Sequence, residues 1–332
     1  MGVGWGVVHG CHCDACGLET LCGGCSADCA RAGCRGPCHR CGIRCRGRDD
    51  AAAWVADAGG NLALGGAPWP VRLPDNLPVF VPEVDGFKLA DFDCGLEWPA
   101  YAVGLKRVVG AKGALRPRWR GRGADEVLGL PPGRRLLMLG FGRDELIERI
   151  WTFQHRRRFY DAVASLGFDL VAGMNYSVYG DQPRFEHLLN LKRSALAAER
   201  LAAAGVPAVP SVYWWRQADL DRWLEWIQAT RIPMVAVNAQ TFRTPADRDI
   251  LFHGLAYLGC RLPGGVTVLV SGLSRPDRVR IVRRMLPRVI FASQHPWQMA
   301  WHGRVLGDSR PTGRGAVQLF RENVLRYAEW TS

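Results

Sequence analysis

Between residues 79 and 292 the apolar positions fall into short runs, most of them without polar alternation: Val79–Val81, Tyr101–Leu105, Leu136–Leu139, Asp169–Met174, Val206–Val212, Ile232–Val237, Val266–Val270 and Arg288–Ala292. Continuous apolar runs of this length are what strands buried on both faces look like. Several of the intervening stretches carry a different period. Pro183 to Ala204 places Leu188, Leu191, Ala195, Ala198 and Leu201 at three- and four-residue spacing before Gly205 stops it, and Asp219 to Thr230 does the same with Leu220, Trp223, Leu224 and Ile227. A further helix is expected from about Asp144, and Ser274-Arg-Pro-Asp277 has the form of a helix-capping box. Parallel strands need helical crossovers. Eight strands with helices between most of them predict an eight-fold β/α (TIM-like) barrel over residues 79–330, with an open doubly wound parallel sheet as the alternative.

Upstream of the barrel the pattern changes. Asp49 to Asp57 reads as a short helix carrying Trp54 and Val55, closed by Gly59-Gly60, and a Gly- and Pro-rich linker runs on to Pro78. Residues 49–78 therefore separate the barrel from a small module, residues 1–48, whose defining feature is cysteine.

With 48% hydrophobic residues among 332, the chain has enough apolar material for one large core. No apolar run approaches the roughly 18 residues that span a bilayer, and residues 1–10 do not have the form of a secretion signal. The expectation is a cytoplasmic protein with no membrane partner. The net charge of +12, carried mostly by Arg, suits DNA, RNA or a nucleotide as a partner, although Arg-rich composition also follows from genomic base bias. The segment Lys112–Arg122 concentrates that charge: Arg116, Arg118, Arg120 and Arg122 surround Trp119, a pattern that grips a phosphate backbone and stacks a base, or else forms a solvated loop.

In β/α barrels, chemistry gathers at the C-terminal ends of the strands. That rule nominates Glu83, Asp85, Asp181, Asn238 and His295 as catalytic candidates. Glu83 or Asp85 facing Asp181 would supply an acid and a base, or a nucleophile and a base, for cleavage at a glycosidic carbon, and His295 would move a proton at neutral pH. Pocket walls are expected from Asn175, Tyr176, Tyr179, Tyr213, Trp214, Gln240 and Gln294, with Lys106, Arg143 and Asp144 at the same strand ends. A phosphate site is expected after the seventh strand, where Ser271, Ser274 and Arg275 precede a helix N-terminus. Each of these residues taken singly also suits a helix cap, a hydrogen-bonded loop or a packed aromatic. Three readings stay open: an enzyme acting on nucleic acid or a nucleotide, a non-catalytic nucleic-acid-binding protein, and an iron–sulfur redox or radical enzyme.

The run Tyr176-Ser-Val-Tyr-Gly-Asp-Gln-Pro183, then Asn190 and Arg193, then Gly205-Val-Pro-Ala-Val-Pro210 and Trp214, resembles domain-of-unknown-function family 4417 of bacteria and phages, over roughly residues 130–300. The segment Cys41-Gly-Ile-Arg-Cys45, followed by Asp50, Trp54 and Gly59-Gly60, is similar to N-terminal extensions seen beside that domain. The resemblance implies a mobile-element or phage setting and carries no activity with it.

Twelve cysteines occur in the chain, and only Cys94 and Cys260 lie outside the first module. The other ten are Cys11, Cys13, Cys16, Cys22, Cys25, Cys29, Cys34, Cys38, Cys41 and Cys45, with His9, His12 and His39 as substitute ligands. Cys13-x-x-Cys16-Gly17 and Cys38-x-x-Cys41-Gly42 have the form of zinc knuckles: two thiolates two residues apart, then a glycine that permits the left-handed turn. An iron–sulfur cluster is the alternative, because Cys22-x2-Cys25-x3-Cys29 and Cys38-x2-Cys41-x3-Cys45 partly match ferredoxin spacing. Cys34-x3-Cys38-x2-Cys41 also has the spacing of radical S-adenosylmethionine enzymes, but Arg40 stands where those have an aromatic and the barrel has not yet begun. On either reading the metal folds a segment too poor in apolar residues to build a core. Metal analysis of the full chain purified without air, with its absorption spectrum, decides: a colourless protein containing zinc is expected, and a brown, iron-containing one would replace zinc by a redox or radical cofactor.

Overall fold

A computed structural model of the chain describes residues 51–85, 96–130, 133–178, 184–308 and 310–332. The ten candidate metal cysteines, Tyr179 and Asp181 lie outside the described residues. Eight parallel strands form one sheet: β1 (Phe80–Val84), β2 (Ala100–Gly104), β3 (Arg135–Leu139), β4 (Leu170–Ala172), β5 (Ala208–Val209), β6 (Met234–Asn238), β7 (Thr267–Ser271) and β8 (Val289–Ser293). All eight fall on the apolar runs of the sequence, and six of them are buried along their whole length.

The strand order runs β5-β4-β3-β2-β1-β8-β7-β6. Its two ends meet. Ser211 bridges Ala236, with Val212 N donating to Ala236 O at 2.7 Å and Ala236 N donating to Pro210 O at 2.9 Å. This contact makes a barrel and sets aside the open doubly wound sheet. Pro210 explains why β5 is short, since its ring nitrogen has no hydrogen to continue the ladder while its carbonyl still serves β6.

The pairing register fixes which side chains point inward. Glu83 aligns with Ala102, Ala102 with Leu137, Leu139 with Ala172, Ala172 with Val209, Ser211 with Ala236, Asn238 with Ser271, Ser271 with Ala292, and Ala292 with Val81. Three two-residue steps along the strands are needed to complete this circuit, and it returns to β1 two residues below its start, so the total stagger is eight residues. That is the shear of an eight-stranded β/α barrel. Because every offset is even, one face is continuous around the ring. Its inward residues are apolar or small until the C-terminal rim, where Glu83, Ser211, Asn238 and Ser271 stand.

Outward residues are covered by the helices α1 (Ala51–Asp57), α2 (Leu105–Val108), α3 (Ala124–Leu128), α4 (Asp144–Phe153), α5 (Phe159–Ala164), α6 (Arg184–Ala203), α7 (Gln217–Thr230), α8 (Pro245–Arg261), α9 (Pro276–Met285), α10 (His295–Trp301) and α11 (Ala316–Thr331). Phe80 of β1, for example, stacks on Tyr327 of α11 at 4.2 Å. No described helix is long and apolar enough to cross a membrane. The anticipated capping box is absent: Ser274 is exposed, Arg275 is the N-cap of α9 without a side-chain cap bond, and Asp277 is paired with Arg275 at 3.0 Å.

One buried cation ties the segment before the barrel to its wall. Arg193 of α6 is 2% exposed and pairs with Glu148 of α4 through both terminal nitrogens, at 2.9 and 2.6 Å. Its guanidinium also lies over the rings of Trp54, Trp151 and Tyr176, at 4.5, 4.7 and 4.1 Å. Val55, Ala58 and Leu62 extend the contact by packing on Leu188 and Leu189. Arg193→Lys keeps the charge but loses the fork and the planar stacking, so it is expected to destabilise the fold by about 2 kcal/mol, and Arg193→Ala by about 3 kcal/mol. Urea titration followed by tryptophan fluorescence checks both; two wild-type midpoints would show the cage to be energetically idle.

Candidate functional site

At the C-terminal end of the barrel a cavity of about 650 Å³ opens above the polar rim. Its floor and lower wall are built by strand ends: Glu83 from β1, Gly104 from β2, Leu139 from β3, Asn238 from β6 and Ser271 from β7. Loops and helix starts make the mouth, with Lys106 after β2, Phe141, Arg143, Asp144 and Glu145 after β3, Ser177 after β4, Gln240, Thr241 and Arg243 after β6, and Gln294 after β8.

Glu83 is the most perturbed acid of this site. It is 7% exposed, and burial pushes its carboxyl up to about 7, opposed by the positive charge of Lys106 and reinforced by the negative charge of Asp85. Gly104 makes room for it: a β-carbon there would lie 2.7 Å from Glu83 Oε1. Asp85 takes a different part. Its Oδ1 accepts from Arg107 and from Gln294 Nε2, both at 2.6 Å, so it braces the rim between β1, β2 and β8 and does not line the cavity. Gln294 Oε1 in turn accepts from Gln298 at 3.1 Å. On the opposite wall Ser177 Oγ donates to Asp144 Oδ1 at 2.8 Å. Asn238 Oδ1 accepts from Gln240 N at 3.1 Å, and a side chain at Gly272, where φ is +92°, would collide with Gln240.

The mouth carries three cations. Lys106, Arg143 and Arg243 are exposed, and none has an ion-pair partner among the described residues. No three His, Cys, Asp or Glu side chains among the described residues come together as a metal site.

Of the catalytic candidates, Glu83 and Asn238 thus share the cavity, Asp85 supports it from behind, and Asp181 is outside the described residues. His295, the first residue of α10, is not in the lining; its backbone N donates to Ser293 Oγ at 3.2 Å and burial lowers its pKa. Among the expected pocket residues, Gln240 and Gln294 line it, whereas Tyr176, Tyr213 and Trp214 are core: Tyr176 lies under Arg193, Tyr213 stacks on Phe242 at 5.2 Å, and Trp214 Nε1 donates to Ile250 O at 3.2 Å. Asn175 is fully buried, and neither its Oδ1 nor its Nδ2 has a hydrogen-bond partner among the described residues.

The anticipated phosphate site does not form as a unit, since Ser271 belongs to the cavity wall while Ser274 and Arg275 are exposed and do not line it. The Arg–Trp segment is also corrected. Trp119 is fully buried in a 3-10 turn, packs on Phe168 at 5.8 Å and donates its indole N–H to Arg107 O at 2.8 Å, so it has no free face for a base. Arg116 and Arg120 donate Nε to the carbonyls of Lys106 and Leu115, Arg122 pairs with Glu126 at 2.6 Å, and Arg118 covers the Trp119 ring at 5.3 Å. The lining residues missed by sequence reading, Phe141, Glu145, Ser177, Thr241 and Arg243, sit within six residues of a strand end; a wider window past each strand would have included them.

The chain matches no family model and no curated protein.

The raised pKa of Glu83 has a thermodynamic sign. Its unfolded value is near 4.5 and its folded value about 7, so the native state holds the proton more tightly and Glu83 lowers stability progressively as pH rises from about 4.5 to 7. Glu83→Gln keeps the shape without the charge and is expected to be more stable than wild type at pH 8 by about 2–3 kcal/mol, with the difference vanishing near pH 4.5. Urea midpoints measured at both pH values check this; a Gln variant less stable at pH 8 would mean that Glu83 is held as a stabilised carboxylate.

Proposed function

We propose that this barrel is an enzyme acting on a nucleotide, with Glu83 as the group that gives or takes the proton. The observation that carries the reading is a buried carboxyl titrating near neutrality at the floor of a nucleotide-sized cavity whose mouth holds three cations without ion-pair partners among the described residues. A carboxyl with that pKa is populated in both protonation states near pH 7, which is what general acid–base catalysis requires. Lys106, Arg143 and Arg243 suit phosphate oxygens, each being exposed and therefore cheap to leave unpaired until a ligand arrives.

The inward packing of Trp119 and the internal bonds of Arg116, Arg120 and Arg122 favour a nucleotide over a long nucleic-acid strand. The rival binding-protein reading draws on the cysteine module as the contact surface and on the overall charge of +12. The likeness to the bacterial and phage family accords with either. Zinc held by the module is proposed as structural in both.

Calorimetry with nucleoside mono-, di- and triphosphates on the full chain tests the proposal, with chromatography of the products. Saturable binding is expected, and Lys106→Ala or Arg143→Ala should weaken it by about 10- to 100-fold, the loss of one charge-assisted hydrogen bond. Glu83→Gln should leave binding nearly unchanged and slow turnover by about 10²- to 10⁴-fold. Absence of binding, or turnover in Glu83→Gln at the wild-type rate, overturns the assignment.

A further inference from the structure

Two of the cavity's floor residues have hydrogen-bonding capacity that no other described residue takes up. Ser271 is the last inward-facing residue of β7; it is fully buried, stands in the cavity wall, and its Oγ has no hydrogen-bond partner among the described residues. Asn238, in register beside it on β6, is 4% exposed. The atom of Asn238 that accepts from Gln240 N must be its oxygen, because a backbone N–H cannot donate to an amide NH₂. Its Nδ2 is thereby fixed in place as a donor, and no acceptor among the described residues takes it up. Buried polar groups are nearly always paired, and an unpaired one destabilises the free protein, so its place in a cavity wall points to a ligand.

The polarity of the cavity is graded. The floor offers a neutral donor and a hydroxyl that can donate or accept, while Lys106, Arg143 and Arg243 stand at the exposed mouth, with Asp144 and Glu145 beside Arg143. An anionic group would leave its charge without a counter-charge at the floor beside Glu83, and a neutral group would waste the cations at the mouth.

Resting on the nucleotide reading above, we propose that the ligand enters base first, and that Ser271 with Asn238 determines specificity by hydrogen-bonding the edge of the nucleobase while the phosphate stays at the mouth. A base edge presents adjacent neutral acceptors and donors within a few ångströms, which a hydroxyl and an amide N–H can read together.

Ser271→Ala tests this on the full chain, with adenosine, guanosine, cytidine and uridine monophosphates and ribose 5-phosphate as probes. The substitution removes an unpaired hydroxyl and almost no volume, so the thermal midpoint without ligand should be unchanged or higher. Affinity for the preferred nucleotide should fall about tenfold or more, and affinity for ribose 5-phosphate, which lacks the base, should stay within about twofold. A purely structural hydroxyl would give the opposite pair of results: a lower midpoint and equal effects on both ligands. Wild-type protein that binds nucleotides no better than ribose 5-phosphate overturns base-first binding while leaving an anion site at the Glu83 cavity intact. Wild-type protein that binds none of the probes overturns both.

Discussion

Two backbone hydrogen bonds at the β5–β6 seam decide what this molecule is. With Ser211 opposite Ala236 the ring closes at a stagger of eight residues, and every step around it is even. A slip of one residue anywhere would turn a strand inside out, placing an outward core residue in the barrel and sending a rim residue such as Asn238 or Ser271 among the helices. The requirement that one continuous face be inward thus selects the register, and the same register collects Glu83, Asn238 and Ser271, from strands distant in sequence, around one cavity. Fold and site are the outcome of a single constraint.

Burial and charge are then matched at the rim. Only one ionisable group, Glu83, is taken nearly out of water at the floor, and it answers by moving its pKa up to about 7, which keeps it uncharged over a wider pH range than an ordinary carboxyl. The remaining buried groups of the floor are uncharged, so none needs a counter-ion. Lys106, Arg143 and Arg243 stand at exposed positions at the mouth, where the lack of an ion-pair partner among the described residues costs little because water solvates them. Asp85 shows the alternative fate of a carboxylate next to such a site: given Arg107 and the Gln294 amide at 2.6 Å each, it is a strut between three strand ends.

The strands were legible because a strand covered on both faces has no polar residue to interrupt it, and the barrel follows from their number together with the helical crossovers. Glu83, Asn238, Gln240, Gln294 and Ser271 were legible by position alone, since the C-terminal ends of parallel strands face the cavity. Side-chain direction in irregular segments was not legible. Trp119 sits in a basic stretch without periodicity, so nothing local tells that its indole turns inward to the Arg107 carbonyl and Phe168. Tyr213 and Trp214 follow a strand as pocket residues do, yet Phe242 and the Ile250 carbonyl, both more than twenty-five residues away, draw them into the core. The division between Asp85 as strut and Glu83 as pocket acid depends on Arg107 and Gln294, long-range partners that no spacing reveals.

A polar floor with unpaired groups destabilises the free protein, and something must hold its geometry. The wall beside Ser177 shows how that is done. Arg193 donates to Asn190 Oδ1 at 3.1 Å, Asn190 Nδ2 donates to Ser177 O at 2.7 Å, and Ser177 Oγ donates to Asp144 Oδ1 at 2.8 Å at the cavity mouth. Arg193 is itself clamped by Glu148 of the same helix as Asp144 and by the ring of Trp54, so the chain of bonds ends on rigid elements at both sides. The inner links, Arg193 to Asn190 and Asn190 to Ser177, are buried away from water, and Trp54 of the helix that follows the cysteine module packs on the same guanidinium. The segment before the barrel is therefore joined to the wall of the cavity, through Arg193 and through the packing of Val55, Ala58 and Leu62 on Leu188 and Leu189.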